Sequence, residues 1–141
     1  MSQVSFYILA QASTTHRHRF ACRLVEKAYS QGKKIYVVAA DAREAALLDD
    51  LLWTYSDGAF LPHLPARDSA DDTPIHIGTP QDRPIPADVL LNLSPISPAF
   101  FTEYDRVAEV IDQEPTRLQE GRARFRAYRQ AGIEPETHQL K

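Results

Sequence analysis

The chain has 141 residues, of which 43% are hydrophobic and 25% charged, with a formal net charge of −3. That balance describes one soluble globular domain over residues 1–141 and argues against disorder, collagen and coiled coil, while an acidic chain has no overall field drawing it to nucleic acid. A lone cysteine, Cys22, allows neither an intrachain disulfide nor a cysteine-based zinc site, and no stretch reads as a membrane span or export signal, so a reducing cytoplasm is the expected compartment.

Val4 to Leu9 is a short apolar run of β-formers and predicts a buried strand. Ser13, Thr14 and Thr15 offer helix-capping oxygens. Phe20, Ala21, Leu24, Val25, Ala28 and Tyr29 form a helical stripe that Gly32 stops. Ile35 to Ala40 is a second continuous strand. Asp41, with Glu44 three residues on, resembles a capping box for a helix whose apolar face is Ala45, Leu48, Leu51 and Leu52. From Ser56 the chain reads as irregular, with Arg67 to Thr73 the most polar loop. Ile75 to Ile77 is a short strand, and the three prolines between Thr79 and Pro86 exclude a regular element. Val89 to Leu93 is a strand, Pro98 opens a short helix through Tyr104, and Arg106 to Ile111 is a strand again. Pro115 suits the first turn of a last helix that runs to Ala131, where Gly132 ends it. The alternation predicts an α/β fold: one open, largely parallel sheet with helices on its faces.

Such a sheet raises the question of nucleotide binding. The turn after the first strand, Ala10 to Thr15, holds no glycine, so neither a dinucleotide fingerprint nor a phosphate loop fits; the fold is Rossmann-like without that function. Cys22 reads as inert packing. In His16-Arg17-His18 the histidines are two residues apart and point to different faces of a helix, which favours a solvated helix start over a metal site. Asp49-Asp50 and Asp71-Asp72 have no partner base. No catalytic residue, metal site or cofactor is expected.

Two stretches stand out. Between Pro115 and Ala131 there are five arginines against one acid, Glu120, a local charge of +4 that leaves −7 on the remainder. At 100° per residue Arg122, Arg126 and Arg129 share a face edged by Leu118 and Phe125. This pattern suits an acidic ligand bearing an apolar group, since guanidinium holds a carboxylate bidentately while a ring lines the pocket; it equally suits a solvated helix favoured by its dipole. The second stretch, Leu51 to His63, gathers Trp53, Tyr55 and Phe60 around a turn, as core packing or as a partner surface.

At these two stretches the sequence resembles the chi subunit of bacterial DNA polymerase III holoenzyme. The resemblance runs through Phe6-Tyr7, Gly32-Lys33, Leu52-Trp53, Asp57-Gly58, Phe60-Leu61-Pro62-His63 and the closing Arg122-Ala-Arg-Phe-Arg-Ala-Tyr-Arg-Gln-Ala-Gly132. It implies a noncatalytic clamp-loader accessory that bridges the psi subunit to single-stranded DNA-binding protein, whose acidic tail ends in a Pro-Phe carboxylate. Carried over by position, the tail site is Arg122, Phe125, Arg126 and Ile111, with Tyr128 and Arg129 beside them. The psi-facing surface is Trp53, Phe60 and Pro62, which in some members binds an iron–sulfur DNA helicase instead. Some members carry lysines early in the last helix, where this chain has Leu118 and Glu120. The resemblance implies that DNA is reached only through the binding protein. The rival from another class is a small α/β enzyme holding an anionic substrate on the terminal arginines; it needs a base or nucleophile near Arg122. A direct single-strand DNA binder needs aromatics spread along a basic groove.

Overall fold

The computed structural model describes residues 2–54, 63–65, 73–96 and 100–140, with the backbone alone for 63–65. Its elements, in chain order, are β1 (Gln3–Ile8), α1 (Thr14–Ser30), β2 (Ile35–Val38), α2 (Ala42–Thr54), β3 (His63–Pro65), β4 (Ile75–Gly78), β5 (Val89–Asn92), a 3-10 turn (Phe101–Glu103), β6 (Arg106–Ile111), α3 (Pro115–Gln130) and β7 (Glu136–Gln139). The strands form one sheet in the order β3-β4-β2-β5-β6-β1-β7, and every neighbouring pair is parallel. Parallel neighbours require crossovers, and α1, α2 and α3 each carry the chain from one strand to the next.

Both faces of the sheet are covered, which is why its central strands read as unbroken apolar runs. Ile35, Val37, Ile77, Leu91 and Val110 pack under Ala21, Cys22 and Val25 of α1 and Leu48 and Leu52 of α2. The alternate residues Val4, Phe6, Tyr36, Leu90 and Val107 face the other way, against Tyr128 of α3 and Tyr104. Burial pushes the Cys22 thiol up to about 12, as an inert packing residue requires.

The helix ends follow their residues. Of the three capping candidates Ser13 is the one used, its hydroxyl accepting from the His16 amide at 3.2 Å. Gly32 and Gly132 take left-handed φ values of +73° and +89°, and the amides after them return to Ala28 and Tyr128 carbonyls. The Asp41 side chain accepts from the Glu44 amide at 2.9 Å, but Glu44 reaches back to the Ala40 amide rather than to Asp41.

Three expectations change. His16-Arg17-His18 is not a solvated start: α1 begins at Thr14, so Arg17 and His18 continue the stripe of Ala21 and Cys22 at i+4 and are buried. Arg17 donates to Glu44 at 3.0 Å and to the Leu93 carbonyl at 2.7 Å, while His18 meets the same carboxylate oxygen at 2.9 Å. Two strands are added at the sheet's edges. β7 is wholly polar and exposed and has a single neighbour, β1; β3 is three residues long and ends in Pro65, which an edge tolerates. The segment after Pro98 winds as a 3-10 turn over Phe101–Glu103, and residues 97–99 lie outside the described ones, as does the acidic loop apart from Thr73.

Candidate functional site

The carboxyl end of β6 holds a pocket of about 340 Å³ between α3 and the sheet, walled also by β1 and β7. Ile111 is its floor, Phe6, Leu118 and Phe125 its apolar sides, and Arg122, Gln113 and Gln139 its polar rim. α3 is set here by its first turn. Pro115 is preorganised at the start, and the Glu114 carboxylate accepts from the Thr116 and Arg117 amides at 3.2 and 2.8 Å. The buried face is then Gly121, Arg124 and Tyr128, at spacings of three and four residues.

Gly121 is the residue that lets the helix lie close. A Cβ there would overlap the Ile111 side chain, so the pocket's floor and the helix backbone touch directly. An isolated glycine inside a helical run is a packing signal, and it is the one feature of this site that the sequence displays without the pattern reading having used it. Phe125 meets Phe6 edge-on, ring centroids 5.3 Å apart, which fixes one wall as an aromatic corner.

The residues expected at a tail site divide. Arg122, Phe125 and Ile111 come together on this pocket. Arg126 is exposed on α3 and is not part of the lining. Arg129 is exposed one turn further on, 3.3 Å from Glu134. Tyr128 is 1% exposed; it packs on Phe6 and Phe101 and donates its hydroxyl to Glu109 at 2.8 Å, inside the core. On the opposite face of the sheet Trp53, at the end of α2, is 51% exposed. Phe60 and Pro62 lie outside the described residues.

The arginine run also divides. Arg124 is 5% exposed and donates from Nε to the fully buried Glu109 at 2.9 Å and from Nη1 to the Pro95 carbonyl at 3.2 Å. Asn92 adds a further donor to Glu109 at 2.9 Å. Burial pushes the Glu109 carboxyl up, and Arg124, Asn92 and Tyr128 pull against it. Arg117 forks onto Asp112 at 2.8 and 2.6 Å. Burial raises the Asp112 carboxyl too, but Arg117 and the Ser13 amide outweigh it and hold the group below the usual range. Among the described residues Arg122 and Arg126 make no ion pair, so two cations of the five remain uncommitted to the protein's own acids.

Chemically the pocket offers one guanidinium over an apolar corner. Its lining holds no carboxylate, histidine, cysteine or hydroxyl, so it presents no base or nucleophile of the kind the enzyme reading needs. It fits an apolar group with a neighbouring anion.

The family model of the DNA polymerase III chi subunit, HolC, matches residues 1–136. The chain belongs to that family. A Pseudomonas aeruginosa protein named DNA polymerase III subunit chi is 36% identical over 140 residues, covering 99% of this chain and 98% of its own length. The Escherichia coli protein of the same name is 27% identical over 143 residues, 97% of each chain, and that of Haemophilus influenzae is 26% identical over 129 residues, 90% of each. As a chi-family member the chain is an accessory, noncatalytic subunit of DNA polymerase III, with DNA replication as its setting. Among the described residues no helix is long and apolar enough to cross a membrane.

Proposed function

We propose that this chi-family chain is a cytoplasmic adaptor of the clamp loader, joining the psi subunit to the acidic tail of single-stranded DNA-binding protein. The observation that carries the reading is the placement of Arg122 over the corner made by Ile111, Leu118 and Phe125. A tail ending in Phe brings a ring and a carboxylate on one residue. The ring enters the corner and the carboxylate meets the guanidinium, the end-capture mode of peptide recognition. Arg126 and Arg129 lie on the same helix beyond the pocket and attract the acidic residues that precede the end. Trp53 is on the far face of the sheet, so psi, or an iron–sulfur helicase in its place, docks there while the tail is bound, and Phe60 and Pro62 are the further contacts the resemblance implies. An adaptor needs such separation, because overlapping surfaces would make its partners competitors.

Titration with the free tail peptide, intact and lacking its terminal Phe, tests this. The intact peptide loses affinity several-fold from low to high salt and then levels off, because the ion pair is screened and the buried ring, worth about 1.5–3 kcal/mol, is not. The shortened peptide binds barely at all. Equal binding of the two overturns end capture and leaves α3 a general anion patch.

A further inference from the structure

The outer face of α1 carries a second cationic surface that the tail reading does not use. Arg19, Arg23 and Lys27 are all exposed and succeed one another at i, i+4 and i+8, so their attachment points step along the helix by about 6 Å each. Between them and the sheet runs a groove in two continuous parts, about 620 and 640 Å³, which share Phe20 and Arg23 as lining. Phe20 and Tyr7 line its inner side, and His138 extends the row of rings beyond it. Arg23 lies over the Phe20 ring at 5.8 Å, Phe20 meets Tyr7 at 5.4 Å, and Tyr7 stacks on His138 of the edge strand at 5.0 Å with only 16° between planes. The His138 side chain is 44% exposed, so its outer side is open to a further ring. None of the three α1 cations is in an ion pair among the described residues. Glu26 is on the groove wall, and Glu136 lies beside it, 3.7 Å from His138.

From this we infer that the α1 face is a contact surface for single-stranded nucleic acid. Evenly stepped cations follow a phosphate backbone, and rings beside them stack on unpaired bases, which is how sequence-indifferent single-strand binders are built. An acidic peptide uses the cations and leaves the rings idle. A duplex hides its bases, and the net negative charge of the chain opposes the broad contact it needs. Three cations against two nearby acids make a weak, salt-labile contact. It becomes effective when the strand is already held close by another linkage, since tethering raises the local concentration to the millimolar range. Both neighbours of the strand, the protein that coats it and this chain, then lie on one piece of DNA.

The experiment is fluorescence anisotropy of the full chain with a short labelled oligothymidylate, across a salt series. Three phosphate contacts give a slope of log affinity against log salt of about −2, from a factor of about 0.7 per contact on a single strand. Arg19→Glu with Arg23→Glu abolishes oligonucleotide binding while circular dichroism and tail-peptide affinity stay as they were. His138→Ala lowers the affinity about five-fold or more, the scale of one lost stack. Equal binding of a polyglutamate peptide or of duplex DNA overturns the proposal, as does an oligonucleotide affinity that the double variant leaves unchanged. Loss of tail-peptide binding in the double variant, with circular dichroism unchanged, tells against the pocket assignment whatever the oligonucleotide does, so the two readings fail separately.

Discussion

Arg122 and Arg124 stand two residues apart on one helix and do opposite work. Arg124 turns to the sheet, where β6 places Glu109 beneath it, and both are cut off from water. Arg122 turns to the flank, where β6 places the apolar Ile111, and its head stays in solvent. The residue type is the same; the difference is made by which alternate side chain of β6 lies opposite. A run of arginines is therefore two structures overlaid, one that holds α3 to the sheet and one that faces an open pocket. Predictions that separate the two sort by size.

The largest effect belongs to Arg124→Ala. It leaves Glu109 buried without its charge partner, and urea denaturation should show a loss of about 3–5 kcal/mol. If the loss is under about 1 kcal/mol, the comparison drawn above fails. Arg122→Ala should instead weaken tail-peptide binding by about 1.5–3 kcal/mol, measured by calorimetry at low salt, and change stability by less than about 0.5 kcal/mol. Gly121→Ala tests the ground between them. The added methyl drives Ile111 toward the pocket, a strain of about 1–3 kcal/mol, while alanine recovers about 1 kcal/mol of helix propensity. Tail affinity should drop several-fold with stability changed by no more than about 2 kcal/mol.

The smallest and broadest effect is on acid stability. Asp112 ties the start of α1 to α3, and Glu44 ties α1 to α2. In Glu44 burial likewise pushes the carboxyl up, but the His18 hydrogen bond, the Ala40 amide and Arg17 prevail and lower it. Groups lowered in the folded chain contribute stability above their unfolded values, about 3.9 and 4.3, and lose it as pH falls through the folded ones. Glu109, pushed up, works in the opposite sense. Melting temperature should thus fall below about pH 4, and Asp112→Asn should flatten that fall. An identical acid limb in the variant would remove Asp112 from the account.

The sequence shows the order of the central elements because each carries its own signal: unbroken apolar strands, a glycine after each of two helices, a proline at the start of α3. Helical spacing brings out Arg122 and Phe125 but puts Arg126 and Arg129 on the same face, and Ile111 enters only through the family resemblance. The resemblance sets Tyr128 at the tail site beside those arginines, but its hydroxyl answers an acid on β6 that no pattern on α3 reveals. Arg17 and His18 were hidden for the same reason, their partner Glu44 being 27 and 26 residues away. Edge strand β7 leaves no apolar trace, because it buries none of its side chains.

That polar strand is also where the two proposed binding surfaces meet. Gln139 is part of the α3 pocket and His138, the residue before it, stacks on Tyr7 beside the α1 groove, so one backbone step separates side chains on opposite faces of the sheet. β7 hangs from β1 alone, at an edge of the sheet, and should exchange its amide hydrogens faster than the central strands. A guest on either side quiets the same four residues, and the entropy of stilling them is then already spent when the second guest arrives. Slower exchange at Glu136–Gln139 with the tail peptide bound, and slower still with oligonucleotide added, is the signature of that coupling.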